Sequence, residues 1–179
     1  MNRHPAVRLL ESREVIVGRA FRVLSEAVEL PSGLRQDLLV IEHPGAVAIV
    51  PVLDDGRILL VRQYRHAIGA WLVEIPAGRL EGGETPVAAA RRELEEETGL
   101  RATRLDELGV FFPAPGFCSE RIRLFAAHGL AEAPADRARM DADEEFEVLR
   151  LAPEEALEAV REDAKSWIAL TRLIQARRR

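Results

Sequence analysis

Glu93, Glu96 and Glu97 lie three and four residues apart, so on a helix all three carboxylates project from nearly the same side of two turns. Helix energetics alone do not ask for this. Like charges at such spacing cost roughly 0.2–0.5 kcal/mol per pair, and carboxylates in a last turn oppose the negative end of the helix dipole. A bound divalent cation reverses both penalties. Hard cations such as magnesium take one or two carboxylates together with substrate phosphates and keep several waters. The competing reading is a solvated acidic face on an ordinary surface helix.

The element that must carry these residues is bounded by its own chemistry. Thr85 suits a cap for free N–H groups, Pro86 suits the first helical position, and Gly99 suits a left-handed stop after Thr98. Between them Val87, Ala90, Leu94 and Thr98 make a narrow stripe that can pack on a sheet, with the acidic face on the other side.

The whole stretch reads Gly78, five residues, Glu84, seven residues, then Arg92-Glu93-Leu94-x-Glu96-Glu97-x-Gly99-Leu100. It resembles the Nudix box of the Nudix hydrolases at every defined position. The resemblance implies a loop, helix and loop that bind magnesium, with Mn2+ or Zn2+ as substitutes, for hydrolysis of a nucleoside diphosphate linked to another group. Carried over by position, Glu93 and Glu97 are metal ligands, and Glu96 is a further ligand or stands behind the ligands among the catalytic groups. The carbonyl of Ala77 supplies another ligand. Gly78, Glu84, Arg92 and Gly99 become structural, Arg92 orienting the acidic cluster.

Taken in order, the chain has strand-like runs at Val15–Val17, Phe21–Leu30 and Leu38–Ile41, with Leu30-Pro31-Ser32-Gly33 as a hairpin turn. His43-Pro44-Gly45 is a boundary before the apolar run from Ala46. Ala46–Leu53 and Arg57–Arg65 read as a hairpin across Asp54-Asp55-Gly56, and Trp71–Ile75 as a short strand leading to the box. Leu105–Phe112, Ile122–Ala127 and Phe146–Leu151 read as strands. Residues 131–142 read as an exposed, mobile segment. Two helices follow, Pro153 opening the first and Ser166 capping the second. The fold class is α/β; the resemblance implies a Nudix-type α/β/α sandwich, with an additional N-terminal antiparallel β-sheet. The expected division is residues 1–43 as that sheet and 44–179 as the hydrolase domain.

Residues outside the box bear on the substrate. Pro115 stands sixteen residues beyond Gly99, within Ala114-Pro115-Gly116-Phe117-Cys118-Ser119-Glu120-Arg121. This phrase, with Val61-Arg62-Gln63-Tyr64-Arg65 and Glu74-Ile75-Pro76-Ala77-Gly78, resembles the ADP-ribose pyrophosphatase branch. The resemblance implies cleavage of ADP-ribose to AMP and ribose 5-phosphate. The alternatives are another nucleoside diphosphate sugar, such as ADP-glucose or GDP-mannose, or a non-catalytic ADP-ribose-binding regulator. Arg65 is either a strand-end charge or a guanidinium fork suited to a diphosphate, and the matching branch residue contacts the diphosphate. Arg79 and the Ala114-Pro115-Gly116 loop join it as substrate-binding residues. Phe21 is either core or, as in the branch, an aromatic that stacks on adenine. Glu120 either bonds ribose hydroxyls or pairs with Arg121. His43 and His66 have no carboxylate partner in the sequence and receive no metal role. The general base is expected in Asp143-Glu144-Glu145, in the order Glu144, Glu145, Asp143; Ala142 stands where many relatives carry another acid.

The 179 residues, 47% hydrophobic and 31% charged, fit one domain with a small addition. The net charge of −5 gives no footprint for nucleic acid. No run approaches the ~20 apolar residues that span a bilayer, so no membrane partner is expected and a cytoplasmic location is. Cys118 is the only cysteine, which excludes an intrachain disulfide. Three short strands need a hydrophobic face packed on something; the branch lays them on a second subunit, which implies a homodimer, and a monomer that packs the sheet on its own body also satisfies the strand pattern.

Overall fold

The computed structural model describes residues 4–134 and 147–177. These divide into two compact units, one within Met1–Gly45 plus Phe111–Arg121 and the other within Ala46–Val110 plus Ile122–Arg179. In the first, β1 (Arg8–Val17), β2 (Arg22–Glu29) and β3 (Arg35–Glu42) form an antiparallel sheet in that order. β2 and β3 meet in a tight turn in which Leu30 and Leu34 exchange a backbone bond and Gly33 takes φ +81°. β1 begins seven residues ahead of the Val15–Val17 run, because charged and polar residues fill its first part and hide the strand from hydropathy. Segment 111–121 is clipped to β3: Ile41 N–H donates to the Phe117 carbonyl at 2.7 Å, and Ser119 N–H donates to the Ile41 carbonyl at 2.9 Å.

The second unit is a sandwich. Its central sheet runs β7-β4-β9-β8, made of β7 (Ala77–Arg79), β4 (Ala46–Pro51), β9 (Ile122–Glu132) and β8 (Leu100–Phe111). β4 pairs in parallel with β9 and antiparallel with β7. Every residue of β4 is buried, as expected of a strand covered on both faces. Val47 and Ile49 pack with Ala89, Ala90 and Leu94 of α1 (Pro86–Thr98) and with Phe125 and Ala127 of β9. α3 (Ala164–Arg177), with Ala169, Leu170 and Leu173 buried, also packs on β4 and β9. The α/β/α layering is thus observed. A second sheet, β10-β5-β6, contains β10 (Glu147–Leu151), β5 (Ile58–Arg65) and β6 (Ala70–Glu74), and α2 (Pro153–Ala159) packs near β5, β10 and α3.

Two readings of the sequence are corrected here. β4 and β5 are not a hairpin: the Asp54-Asp55-Gly56 turn is present, with Leu53 N–H donating to the Arg57 carbonyl at 2.9 Å, but beyond a single bridge between Val52 and Ile58 the strands part into different sheets. Both are apolar on two faces, so each can be covered by its own neighbours. Ser166 does not cap α3. Asp163 does: its carboxylate accepts the Ser166 N–H at 3.1 Å, and its carbonyl accepts that of Trp167 at 3.0 Å. Ser166 is buried inside the first turn, where its hydroxyl accepts the Ile75 N–H at 2.8 Å.

Both ends of α1 follow from local chemistry. Thr85 Oγ1 accepts the Ala88 N–H at 3.2 Å, and Gly99, at φ 68°, donates its N–H to the Glu95 carbonyl. Removing such a cap costs about 1 kcal/mol. Thr85→Ala should therefore lower the thermal midpoint by about 2–4 °C for a chain of this size, read by calorimetry, with the fold retained.

Candidate active site

The site grows from one face of α1. Ala89, Glu93 and Glu97 form a row beside Ala90 and Leu94, and all five are buried. Both carboxylates are only 8% exposed, whereas Val87 is 46% exposed. This corrects the sequence reading, which counted Val87 in the packing stripe and set the acids opposite it. Small residues at 89 and 90 let α1 lie on β4 and β7, and that contact draws the following turns under cover on the Glu93 and Glu97 side.

Opposite this row the chain leaves room. A β carbon at Gly78, on β7, would overlap the carboxyl group of Glu93. One residue earlier, the Ala77 N–H donates to Glu97 Oε2 at 3.3 Å. Arg92 binds the rest together. Its Nη1 lies 2.7 Å from Glu93 Oε1 and 2.8 Å from Glu96 Oε2, and its Nη2 donates to Glu84 Oε1 at 2.7 Å and to the Arg79 carbonyl at 3.0 Å. The Arg92 hydrogen bonds hold the Glu84 carboxyl below its ordinary value. Glu81 N–H also donates to Glu84, at 3.0 Å, which closes the loop before α1. Arg79 itself reaches Glu81 Oε1 at 3.2 Å. Glu95, next to Glu96, is tied instead to Arg101 by two bonds of 2.8 and 2.9 Å.

Burial pushes the Glu93 carboxyl up to about 7 despite the nearby Arg92 guanidinium, and the charges of Glu96 and Glu81 act in the same direction as burial. A raised value means that the fold favours the neutral acid. Its contribution to stability is present below the ordinary 4.5 and lost as the pH rises through about 7. Burial of Glu93 is therefore not outweighed by the Arg92 guanidinium beside it. Among the described residues no three acidic, histidine or cysteine side chains converge as a ready-made cage. A magnesium-like ion does not need one, since it binds through one or two carboxylates and keeps its waters. The oxygen-only donors Glu93, Glu97 and Glu96 fit such an ion.

Residues 42–171 match the NUDIX domain. The chain belongs to the Nudix family. The ADP-ribose pyrophosphatase of Bacillus subtilis (strain 168) is 38% identical over 167 residues, covering 91% of this chain and 90% of the relative. The methanol dehydrogenase activator of Bacillus methanolicus is 37% identical with the same coverage. A crystal structure of an ADP compounds hydrolase superposes with a TM-score of 0.80 over 99% of this chain and 97% of the other, at 24% identity, a likeness of fold.

The remaining sequence-predicted residues of this Nudix chain fall in different places. Arg65 ends β5 and grips the buried Glu74 of β6, its Nε and Nη2 each 2.7 Å from a carboxylate oxygen. Glu74 also bonds Lys165, which is 3.0 Å from both oxygens of Asp163. Burial alone would raise the Glu74 carboxyl; the Arg65 hydrogen bonds and the Lys165 charge outweigh it and leave the value lowered. Sequence reasoning missed Glu74, Asp163 and Lys165. The only signal for Glu74 was a carboxylate inside the phrase Glu74-Ile75-Pro76-Ala77-Gly78; for the other two there was none.

Phe21, Ala114, Pro115, Gly116 and Glu120 belong to the N-terminal unit. Phe21 is 41% exposed and lines a hollow of about 750 Å³ with Arg19, His43, Phe112 and Arg121. The Ala114 carbonyl accepts the N–H groups of Phe117 and Cys118 at 3.2 and 2.9 Å, which shapes the proline-glycine loop. Glu120 lies beside a histidine that lacked any acidic partner in the sequence: its Oε1 is 3.7 Å from His43 Nδ1, and that nitrogen accepts the Gly45 N–H at 3.1 Å. Asp143, Glu144 and Glu145 lie outside the described residues.

Gly78 gives the sharpest test of this Nudix geometry. In Gly78→Ala the new methyl must displace the Glu93 carboxyl, a buried group that Arg92 also holds. Misplacing a reacting group by about 1 Å costs on the order of 100-fold. Hydrolase activity should drop by at least that factor while circular dichroism and the thermal midpoint stay near those of the parent.

Proposed function

We propose that the chain is a magnesium-dependent pyrophosphohydrolase that splits the diphosphate of ADP-ribose into AMP and ribose 5-phosphate. The observation that carries this is the near full-length similarity to the Bacillus subtilis ADP-ribose pyrophosphatase, joined to the buried carboxylates Glu93 and Glu97 on one row of α1. In this reading Glu93 and Glu97 hold the ion, with Glu96 and the Ala77 carbonyl as further oxygen donors. When bound, the cation neutralises diphosphate charge and lowers the pKa of a coordinated water. Arg92 bridges Glu93 and Glu96 and aims them, and the space left by Gly78 keeps Glu93 in place. Arg65 binds the diphosphate, its plane fixed by the bidentate grip of Glu74. Water oxygen joins one phosphorus, the bond from that phosphorus to the bridging oxygen breaks, and two monophosphates leave. Glu144 takes the water's proton, with Glu145 the second candidate for that role and Asp143 the third.

A panel of ADP-ribose, ADP-glucose and GDP-mannose with product chromatography tests the substrate. ADP-ribose should give AMP and ribose 5-phosphate with the highest kcat/KM, and equal or better turnover of either other sugar nucleotide overturns the choice. Multiple turnover with magnesium also separates an enzyme from a non-catalytic binder. Glu93→Gln and Glu97→Gln should each cut turnover by orders of magnitude with the fold retained. Glu95→Gln should leave turnover in place, because Glu95 serves Arg101 rather than the acidic row.

The assembly we propose is a homodimer built on the N-terminal sheet. All ten residues of β1 are exposed, Val15, Ile16 and Val17 among them, and β3 adds Leu39 at 65% exposure. An uncovered apolar strand face of that kind marks an interaction surface, and a second copy of the chain is the partner that the family resemblance suggests. Sedimentation equilibrium should give a dimer, and Phe21→Ala should raise KM for ADP-ribose with the dimer kept. A fully active monomer defeats the proposal.

A further inference from the structure

We propose that Ser166, in the first turn of α3, is a positioning residue for the metal-holding segment that enters the box. The inference rests on the reading of Glu97 and the Ala77 carbonyl as oxygen donors given above. β6 ends at Glu74 in one sheet and β7 begins at Ala77 in the other, so Ile75 and Pro76 carry the chain across. Ile75 is 1% exposed, and a backbone amide buried there needs an acceptor. Pro76 has no N–H to offer. Ile75 and Ala77 are therefore the amide donors of the crossing: Ile75 N–H goes to Ser166 Oγ at 2.8 Å and Ala77 N–H to Glu97 Oε2 at 3.3 Å. The Pro76 carbonyl, between them, accepts the Ile49 N–H of β4 at 2.8 Å.

The surroundings of the serine hydroxyl suit it to this task. Ser166 is fully buried, and its proton goes to Asp163 Oδ2, on the residue that caps α3. A hydroxyl that donates in one direction has its lone pairs set in another, and here they meet the Ile75 amide. The crossing is thus pinned twice, by β4 through Pro76 and by α3 through Ser166. Without the serine oxygen one pin is gone, and the buried Ile75 amide must turn toward another acceptor. Ala77 and Gly78 follow directly in the chain. A shift there moves the amide that holds Glu97 and the space that the Glu93 carboxyl fills, so a side chain on α3 acts on both acids of α1.

Ser166→Ala deletes the oxygen and introduces the best helix former, so α3 is not weakened through propensity. Ser166→Thr keeps the hydroxyl. Leu173→Ala, about two turns further along α3, loosens the buried packing of the same helix and leaves the serine in place. Mn2+ titration of the free enzyme, with unbound metal read by electron paramagnetic resonance, measures the site without substrate. Ser166→Ala should weaken Mn2+ binding roughly tenfold, the lower end of what loss of a partner behind a metal ligand costs, and amide exchange at Ile75 and Ala77 should speed up. Ser166→Thr should restore most of the affinity, and Leu173→Ala should keep it despite a lower thermal midpoint. If Ser166→Ala does not fold, Ser166→Cys, whose sulfur is a weak acceptor, should show the same loss. Unchanged affinity in a folded Ala or Cys variant, no recovery in a folded Thr variant, or an equal loss in Leu173→Ala overturns the role of Ser166 and leaves the acidic row as the metal site. Unchanged affinity in Glu97→Gln overturns both readings.

Discussion

The structure depends on keeping two carboxylates, Glu93 and Glu97, on the packed side of a helix. A buried ionised acid is tolerated only when paired and hydrogen-bonded, and the surroundings of α1 supply this piece by piece. Arg92 takes Glu93 and Glu96 on one nitrogen and Glu84 on another, the Ala77 amide takes Glu97, and Gly78 leaves the volume that the Glu93 carboxyl fills. None of these is independent of the sheet. β7 reaches its place by pairing with β4, and β4 is held by β9 on its other edge. The box is therefore a helix whose acids are aimed by a three-residue strand, and that strand is aimed by β4, every residue of which is buried.

The same logic explains why Arg92 is so heavily used. It is partly exposed, so each of its ion pairs alone would be weak, yet its guanidinium meets three carboxylates and a carbonyl in one plane-limited fork. A lysine could not replace that geometry, because an ammonium is a point charge without a fixed fork. Glu84 fixes the far end of the arginine and is itself fixed by the Glu81 amide. Loop, helix and acid row are thus one cooperative piece, in which loss of one member leaves the others without partners.

What was legible in the sequence was what local chemistry decides. Thr85, Pro86 and Gly99 mark the ends of α1 because caps act within a few residues, and Gly33 and Gly56 mark turns for the same reason. Long-range pairing was not legible. Ala46–Leu53 and Arg57–Arg65 are apolar on both faces, and such runs fit a hairpin as well as two separate sheets; only the neighbours β9, β6 and β10 decide. The burial of Glu93 and Glu97 went against the usual placement of charge in solvent, so the sequence put them on the outer face. Ser166 looked like a cap by residue type, but Asp163 three residues earlier had the stronger acceptor, which freed the serine to bond Ile75 across 91 residues. The link from Glu74 to Lys165 crosses an equal distance and leaves no periodic trace.

Glu74 and Glu93 together show what kind of site this is. Both are buried acids in the same unit, and burial pushes both toward the neutral form. Glu74 ends below the ordinary carboxyl range because Arg65 and Lys165 both serve it. Burial pushes Glu93 up to about 7, and the Arg92 guanidinium, which also serves Glu84 and Glu96, does not outweigh it. The protein thus balances a buried acid at Glu74, whose oxygens bond both Arg65 and Lys165. At Glu93 the balance stops short, which is the setting in which the divalent cation proposed above would gain by binding. Removing a partner from a balanced buried pair typically costs about 3–5 kcal/mol; an imbalance kept in the resting fold is a cost of the same kind, which the proposed cation would offset.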